Sequence, residues 1–191
     1  MNYKVPVCVL SSFEEVPGTL VTEEAEDMER VMVRGVTSIP EAKVSLVGVP
    51  DKPGVAAKIF GDIAARNINV DMIIQNVGSD DHNDISFTVS RSDLKAVIAI
   101  ANDLVKEIHA QKVQSDDKVV KVSAVGVGMR SHSGVAGKMF SALANKGINI
   151  QLISTSEIKI SCIIAEEYAE LAVRALAEEF ELENESKELE Q

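Results

Sequence analysis

A block of 24 residues occurs twice in this chain, and a fold that accommodates the first copy must accommodate the second. Residues 53–76 and 133–156 align without a gap, and nine of the 24 positions are identical. Unrelated segments would share about one or two, so the chain carries an internal duplication. Pro53-Gly54-Val55-Ala56-Ala57-Lys58-Ile59-Phe60 is echoed by Ser133-Gly134-Val135-Ala136-Gly137-Lys138-Met139-Phe140, and Ile68-Asn69-Val70 by Ile148-Asn149-Ile150. Just upstream, Val44-Ser45-Leu46-Val47-Gly48-Val49 matches Val122-Ser123-Ala124-Val125-Gly126-Val127.

Each copy has the same rhythm. Val44–Val49 and Lys121–Val127 are β-branched runs of strand length. After a Gly-bearing loop, Val55, Ile59, Phe60 and Ile63 recur at helical spacing, as do Val135, Met139, Phe140 and Leu143. Helix ends are predicted at Arg66-Asn67 and Lys146-Gly147, each with a cation in the last turn. Val70–Val77 and Ile150–Thr155 read as second strands, Ile85–Val89 and Ile158–Ala165 as third strands. Leu94–Ile108 and Tyr168–Phe180 read as second helices. The order is βαββα, twice.

A ferredoxin-like βαββαβ unit needs a fourth strand. Lys112–Gln114 is a weak candidate in the first copy, and Glu181-Leu182-Glu183 is all the second copy offers. Val31–Val36, ahead of Pro40, is β-prone and otherwise unpaired, and backbone groups in a sheet need partners. This early strand is expected to close the second copy's sheet. The fold class is therefore α+β, two βαββαβ units with antiparallel sheets and helices on one face, the first inserted into the second. The expected boundaries are 41–116 for the first unit and 31–40 with 117–182 for the second. Residues 1–30 match neither copy: Val5–Leu10 is strand-like, Pro17-Gly18 is a turn, and the charged Glu23–Arg30 is a linker or short helix. Residues 183–191 read as a disordered acidic tail.

Composition narrows the function. The formal net charge of −11 opposes phosphate backbones and anionic membranes, so neither nucleic acid nor a membrane is expected as a partner. With 4% aromatic residues and no Trp, the core must be built from aliphatic side chains and Met. Met28, Met32, Met72, Met129 and Met139 read as filler of that kind. Cys8 and Cys162 lie in separate apolar runs and make no disulfide framework, which points to a reduced, cytoplasmic protein. No apolar run is long enough to span a bilayer, and Met1–Lys4 lacks the apolar stretch of an export signal. His82, His109 and His132 lack ligand spacing, so no metal is expected. Gly126-Val127-Gly128 ahead of Gly134 lacks the Gly-Lys-Ser/Thr ending of a phosphate loop. No nucleophile–base pair is visible, and no catalytic residue is assigned.

Five ordered strings resemble the regulatory ACT units of aspartate kinases. Val47-Gly48-Val49-Pro50-Asp51-Lys52-Pro53-Gly54-Val55-Ala56, then Asn69-Val70-Asp71-Met72-Ile73-Ile74-Gln75-Asn76 and Asp84–Thr88, resemble the first unit. Lys121–Val135 with Asn149–Ser161 resembles the second. Val5–Phe13 with Gly18-Thr19 looks like the last strand of the same family's kinase domain, the rest of which is absent. The resemblance covers about residues 30–180. It implies an amino-acid effector, lysine or threonine or both, bound between ACT units that often belong to two chains. It implies a homodimer and a kinase catalytic domain or α subunit as partners. ATP and magnesium belong to that absent domain, and no cofactor to this chain. Some family members start internally to make a separate β subunit. Met28 suits such a start, with residues 1–27 as an extension.

An amino-acid ligand brings a carboxylate, an ammonium and a side chain. The turn 52–56 leads into a helix N-terminus, where free N–H groups favour an anion. Gly54 allows close approach. Asp51 and Asp71 are expected to flank the meeting of loop and second strand, with Gln75 four residues beyond Asp71 on the same face. By resemblance the first copy contributes Asp51, Gly54, Ala56, Asn69, Val70, Asp71 and Gln75, and the second Val135, Ala136, Asn149, Ile150 and Ser156. Since Gln151 stands where the first copy has Asp71, the ammonium is expected on first-copy acids. Plainer readings stand beside these. Asp51 can serve the turn alone, Asn69 and Asn149 can be turn residues, and Gln75 an exposed strand residue. A stand-alone tandem-ACT sensor acting on another enzyme or regulator is the alternative to a kinase's regulatory part.

Overall fold

The computed structural model describes residues 7–9, 19–21, 33–78, 81–126 and 134–182. The expectations for the linker at 23–30, Met28, the second copy's Gly-rich loop and the tail at 183–191 lie outside the described residues. Near the N-terminus two short strands, β1 (Val7–Val9) and β2 (Thr19–Val21), pair antiparallel with Val7 opposite Val21.

The first repeat runs β3 (Gly35–Pro50), α1 (Val55–Ala64), β4 (Val70–Val77), β5 (His82–Val89) and α2 (Leu94–Glu107). The second runs β6 (Lys112–Val125), α3 (Val135–Asn145), β7 (Ile150–Thr155), β8 (Lys159–Ala165) and α4 (Ala169–Glu179), the last entered through a 3₁₀ turn at Glu166–Tyr168. α1 and α3 open alike: Gly54 and Gly134 cap them with φ of 92° and 104°, a left-handed conformation that a side chain resists.

Where the sequence predicts a separate sheet for each unit, the two units share one. Six antiparallel strands lie in the order β4-β5-β3-β6-β8-β7. The difference arises because β3 and β6 are long enough to serve both units. Gly35–Glu41 faces Val119–Val125, and Lys43–Val47 faces Lys112–Asp116, with a register slip between the two stretches. Of the expected early strand Val31–Val36, Gly35 and Val36 lie in β3, whose 35–41 stretch closes the second unit, while Lys112–Gln114, within β6, closes the first. Yet the early strand does not stop before Pro40. At Pro40 the pairing is to Val120 alone, because pairing to β5 begins only at Ala42. A proline is tolerated in a strand with one open side.

Two aliphatic cores lie under the helices. Ala42, Val44, Leu46, Ile59, Ile63, Ile85, Phe87, Val97 and Leu104 form the first. Phe60 meets Phe87 edge-on at 5.5 Å between ring centres, a favoured aromatic geometry. Val120, Val122, Ala124, Met139, Leu143, Cys162, Ile164 and Leu176 form the second, which Val33 joins from just ahead of β3. The apolar repeats at helical spacing in α1 and α3 supply Ile59 with Ile63 and Met139 with Leu143 respectively. A small third cluster of Met72, Val119 and Ile163, with Leu152 against it, gathers β4, β6, β8 and β7. The two end strands, β4 and β7, approach one another, so the sheet curls.

Candidate functional site

A cavity of about 220 Å³ sits at the entrance to α1. Its walls are the turn Pro50–Ala56, with Val49, Gln75, Asn83 and Ile85 closing the sheet side. The turn is braced by its own backbone: Asp51 donates its N–H to the carbonyl of Asp81 at 2.8 Å, and Lys52 to that of Pro50 at 3.0 Å. The helical ladder begins with Lys58 N–H donating to Gly54 O at 2.9 Å. The amides of Ala56 and Ala57 precede that ladder and face the helix mouth, the arrangement that receives an anion.

Of the residues singled out from sequence, the structure thus brings Asp51, Gly54, Ala56 and Gln75 around one space. Asn69 is exposed just before β4, and Val70 packs against the first core. Asp71 does not flank this cavity. Its carboxylate accepts from Lys121 Nζ, and Asp71 and Gln75 do not share a face. The cause is a bulge: Val70 pairs with Val89 but Ile73 with Phe87, so one residue too many on β4 inverts the alternation between them. Two-residue counting from Asp71 to Gln75 fails across that point.

Asn83 is the wall residue that sequence reasoning missed. It is buried, and its Oδ1 accepts the N–H of Gly78 at 3.1 Å, fixing the β4–β5 hairpin behind the cavity. No motif marks it. A nearby contact between strands, Gly48 N–H to Asp84 Oδ1 at 2.9 Å, holds the bulge in β3 that turns Val49 toward the first core.

In the second unit the side chain of Val135 is buried in the core, which leaves its backbone as the part able to meet a ligand. Ala136 and Ile150 are half-buried and Asn149 is exposed. Ser156 closes the β7–β8 turn, its N–H donating to Lys159 O at 2.7 Å. Among the described residues no group of His, Cys, Asp and Glu is arranged to hold a metal, and no helix is long and apolar enough to cross a membrane.

Two βαββαβ units on a shared antiparallel sheet, with a cavity at a helix mouth, define a tandem ferredoxin-like fold. The family model described as ACT domain matches residues 44–104 and 122–180, and the chain belongs to that family. Within it, the chain's sequence and fold are those of the regulatory regions of aspartate kinases. The aspartate kinase of Pseudomonas fluorescens (strain SBW25) is 55% identical over 184 residues, 95% of this chain and 45% of that protein. The aspartokinase of Corynebacterium glutamicum is 45% identical over 185 residues, 94% of this chain and 44% of that protein. The chain spans about half the length of the curated relatives it matches. Among solved structures, the regulatory subunit of aspartate kinase from Thermus thermophilus in its ligand-free form superposes with a TM-score of 0.74. It is 41% identical, and the match covers 78% of this chain and 99% of that one.

Proposed function

We propose that this chain is the allosteric regulatory part of an aspartate kinase, binding lysine or threonine, or both, between ACT units. Bound effector holds back the ATP-dependent phosphorylation of L-aspartate carried out by a catalytic domain or subunit. The observation that carries the reading is the cavity at the mouth of α1. Its free amides suit the effector's carboxylate, Asp51 its ammonium, and the Gln75 amide a side-chain hydroxyl or amine. The cavity opens beside β4, an end strand whose outer edge has no strand neighbour in this sheet among the described residues. A second copy that adds its own end strand there completes the pocket and makes the homodimer.

Effector and partner act by population shift: a ligand that contacts both units favours the arrangement in which those contacts form. Calorimetry with lysine and threonine, singly and together, tests the reading. Binding at or below millimolar concentration is expected, and Asp51→Ala or Gln75→Ala is expected to weaken it about tenfold or more, the scale of one charged or buried hydrogen bond, without altering the circular dichroism spectrum. No heat from either amino acid at millimolar concentration would remove the proposal. Binding with no kinase subunit recovered on co-purification would favour a stand-alone sensor.

A further inference from the structure

The end strands β4 and β7 belong to different units and stand at opposite ends of the strand order, yet they meet. Met72 on β4 and Leu152 on β7 occupy equivalent positions in the repeat and pack into one cluster. One residue before each stand Asp71 and Gln151, again equivalent. Lys121 on β6 donates to the Asp71 carboxylate, and Lys43 on β3 donates to Gln151 Oε1. Lys43 and Lys121 are themselves equivalent, each one residue before the matched Val44 and Val122. Each unit's end strand is therefore held by the other unit's lysine.

The two contacts differ in kind. Lys43–Gln151 joins a cation to a neutral amide. Lys121 is buried between two carboxylates, Asp71 and Glu41, with Glu41 contributed by β3. Asp71 is partly open to solvent, whereas the second oxygen of Glu41 is buried with no hydrogen-bond partner among the described residues. A buried carboxylate is costly unless paired, so Glu41 depends on Lys121 for its partner.

We propose that the pair forms a reciprocal latch. Lys121 is the positioning residue that seats β4, and with it the Gln75 wall of the cavity, against the second unit. Lys43 seats β7 against the first. The latch rests on the reading of the cavity as an effector site only for its consequence: what moves one end strand is passed to the other unit's frame.

Hydrogen–deuterium exchange on the intact chain tests the latch. The variants are Lys43→Met, Asp71→Asn, and Glu41→Gln with Lys121→Met, a pair of changes that leaves no buried charge single. Lys58→Met, at an exposed ion pair with Asp62 and Glu107, is the control. Loss of the Lys121 contact is expected to speed exchange in 70–77 about tenfold while the amides of α3 stay protected. Loss of the Lys43 contact is expected to speed 150–155 while α1 stays protected. Unchanged end-strand exchange overturns the latch, as does faster exchange spread evenly over both units. If the double variant does not fold, Asp71→Asn reads the same contact from its other side. Lysine and threonine binding is measured separately: a chain that binds neither loses the functional reading, and the exchange pattern still decides the latch.

Discussion

Single residues were legible where their backbone demands are unusual. Gly54 was singled out for the close approach it allows, and the structure adds that Gly54 and Gly134 each cap a helix in the left-handed region. Asp51 and Gln75, expected near one another from a charged turn before a helix and a polar strand residue, line the same cavity. Asp71 was misplaced because a bulge leaves no mark in residue counting; only the pairing partner shows where the extra residue sits. Cys162 shows what burial does to chemistry. It lies in the second core, and removal from water pushes its thiol up to about 12. Thiolate is the reactive form. Cys162 is expected to resist alkylation in the folded chain at pH 8 and to react fully in denaturant, read by mass spectrometry of its peptide. Equal labelling in both states would contradict that burial. The sign for stability follows: the unfolded thiol loses its proton from near 9, the folded one only near 12. The fold therefore loses stability as pH rises above about 9.

At the scale of elements, the helices were the easier part. Leu94–Ile108 is found as Leu94–Glu107, and Tyr168–Phe180 as Ala169–Glu179 behind its 3₁₀ turn. Apolar residues at 3.6-residue spacing mark a helix from within its own segment. The role of the early strand was also legible, since an unpaired β-prone run must find a sheet. Its fusion into one 16-residue strand was not, because proline reads as a break unless the open side is known. This strand carries a prediction. Removing residues 33–40 strips the 120–125 stretch of β6 of one neighbour and takes Val33 out of the second core. Burial of even two such side chains is worth about 3–5 kcal/mol. The melting temperature is expected to fall by about 10 °C. An unaltered melting curve would show that the strand does not support the second unit.

The whole molecule has two cores under one sheet, and this shapes its cooperativity. β3 and β6 each contribute to both units, so neither core can dissolve without loosening the strands that frame the other. A single unfolding transition is expected, with calorimetric and van't Hoff enthalpies equal. Two resolved steps would mean that the shared strands fail to couple the halves. The amino-acid sequence by itself determined the duplication, the order of strands and helices, the aliphatic cores and the amide-lined helix mouth. Those features are written in spacing and side-chain type within short segments. Tertiary structure alone decided that the two units share a sheet, that their end strands meet, and that Asp71 answers to Lys121 rather than to the cavity. Register and long-range pairing depend on which distant strands compete for the same backbone edge, and residues within one segment do not record the outcome of that competition.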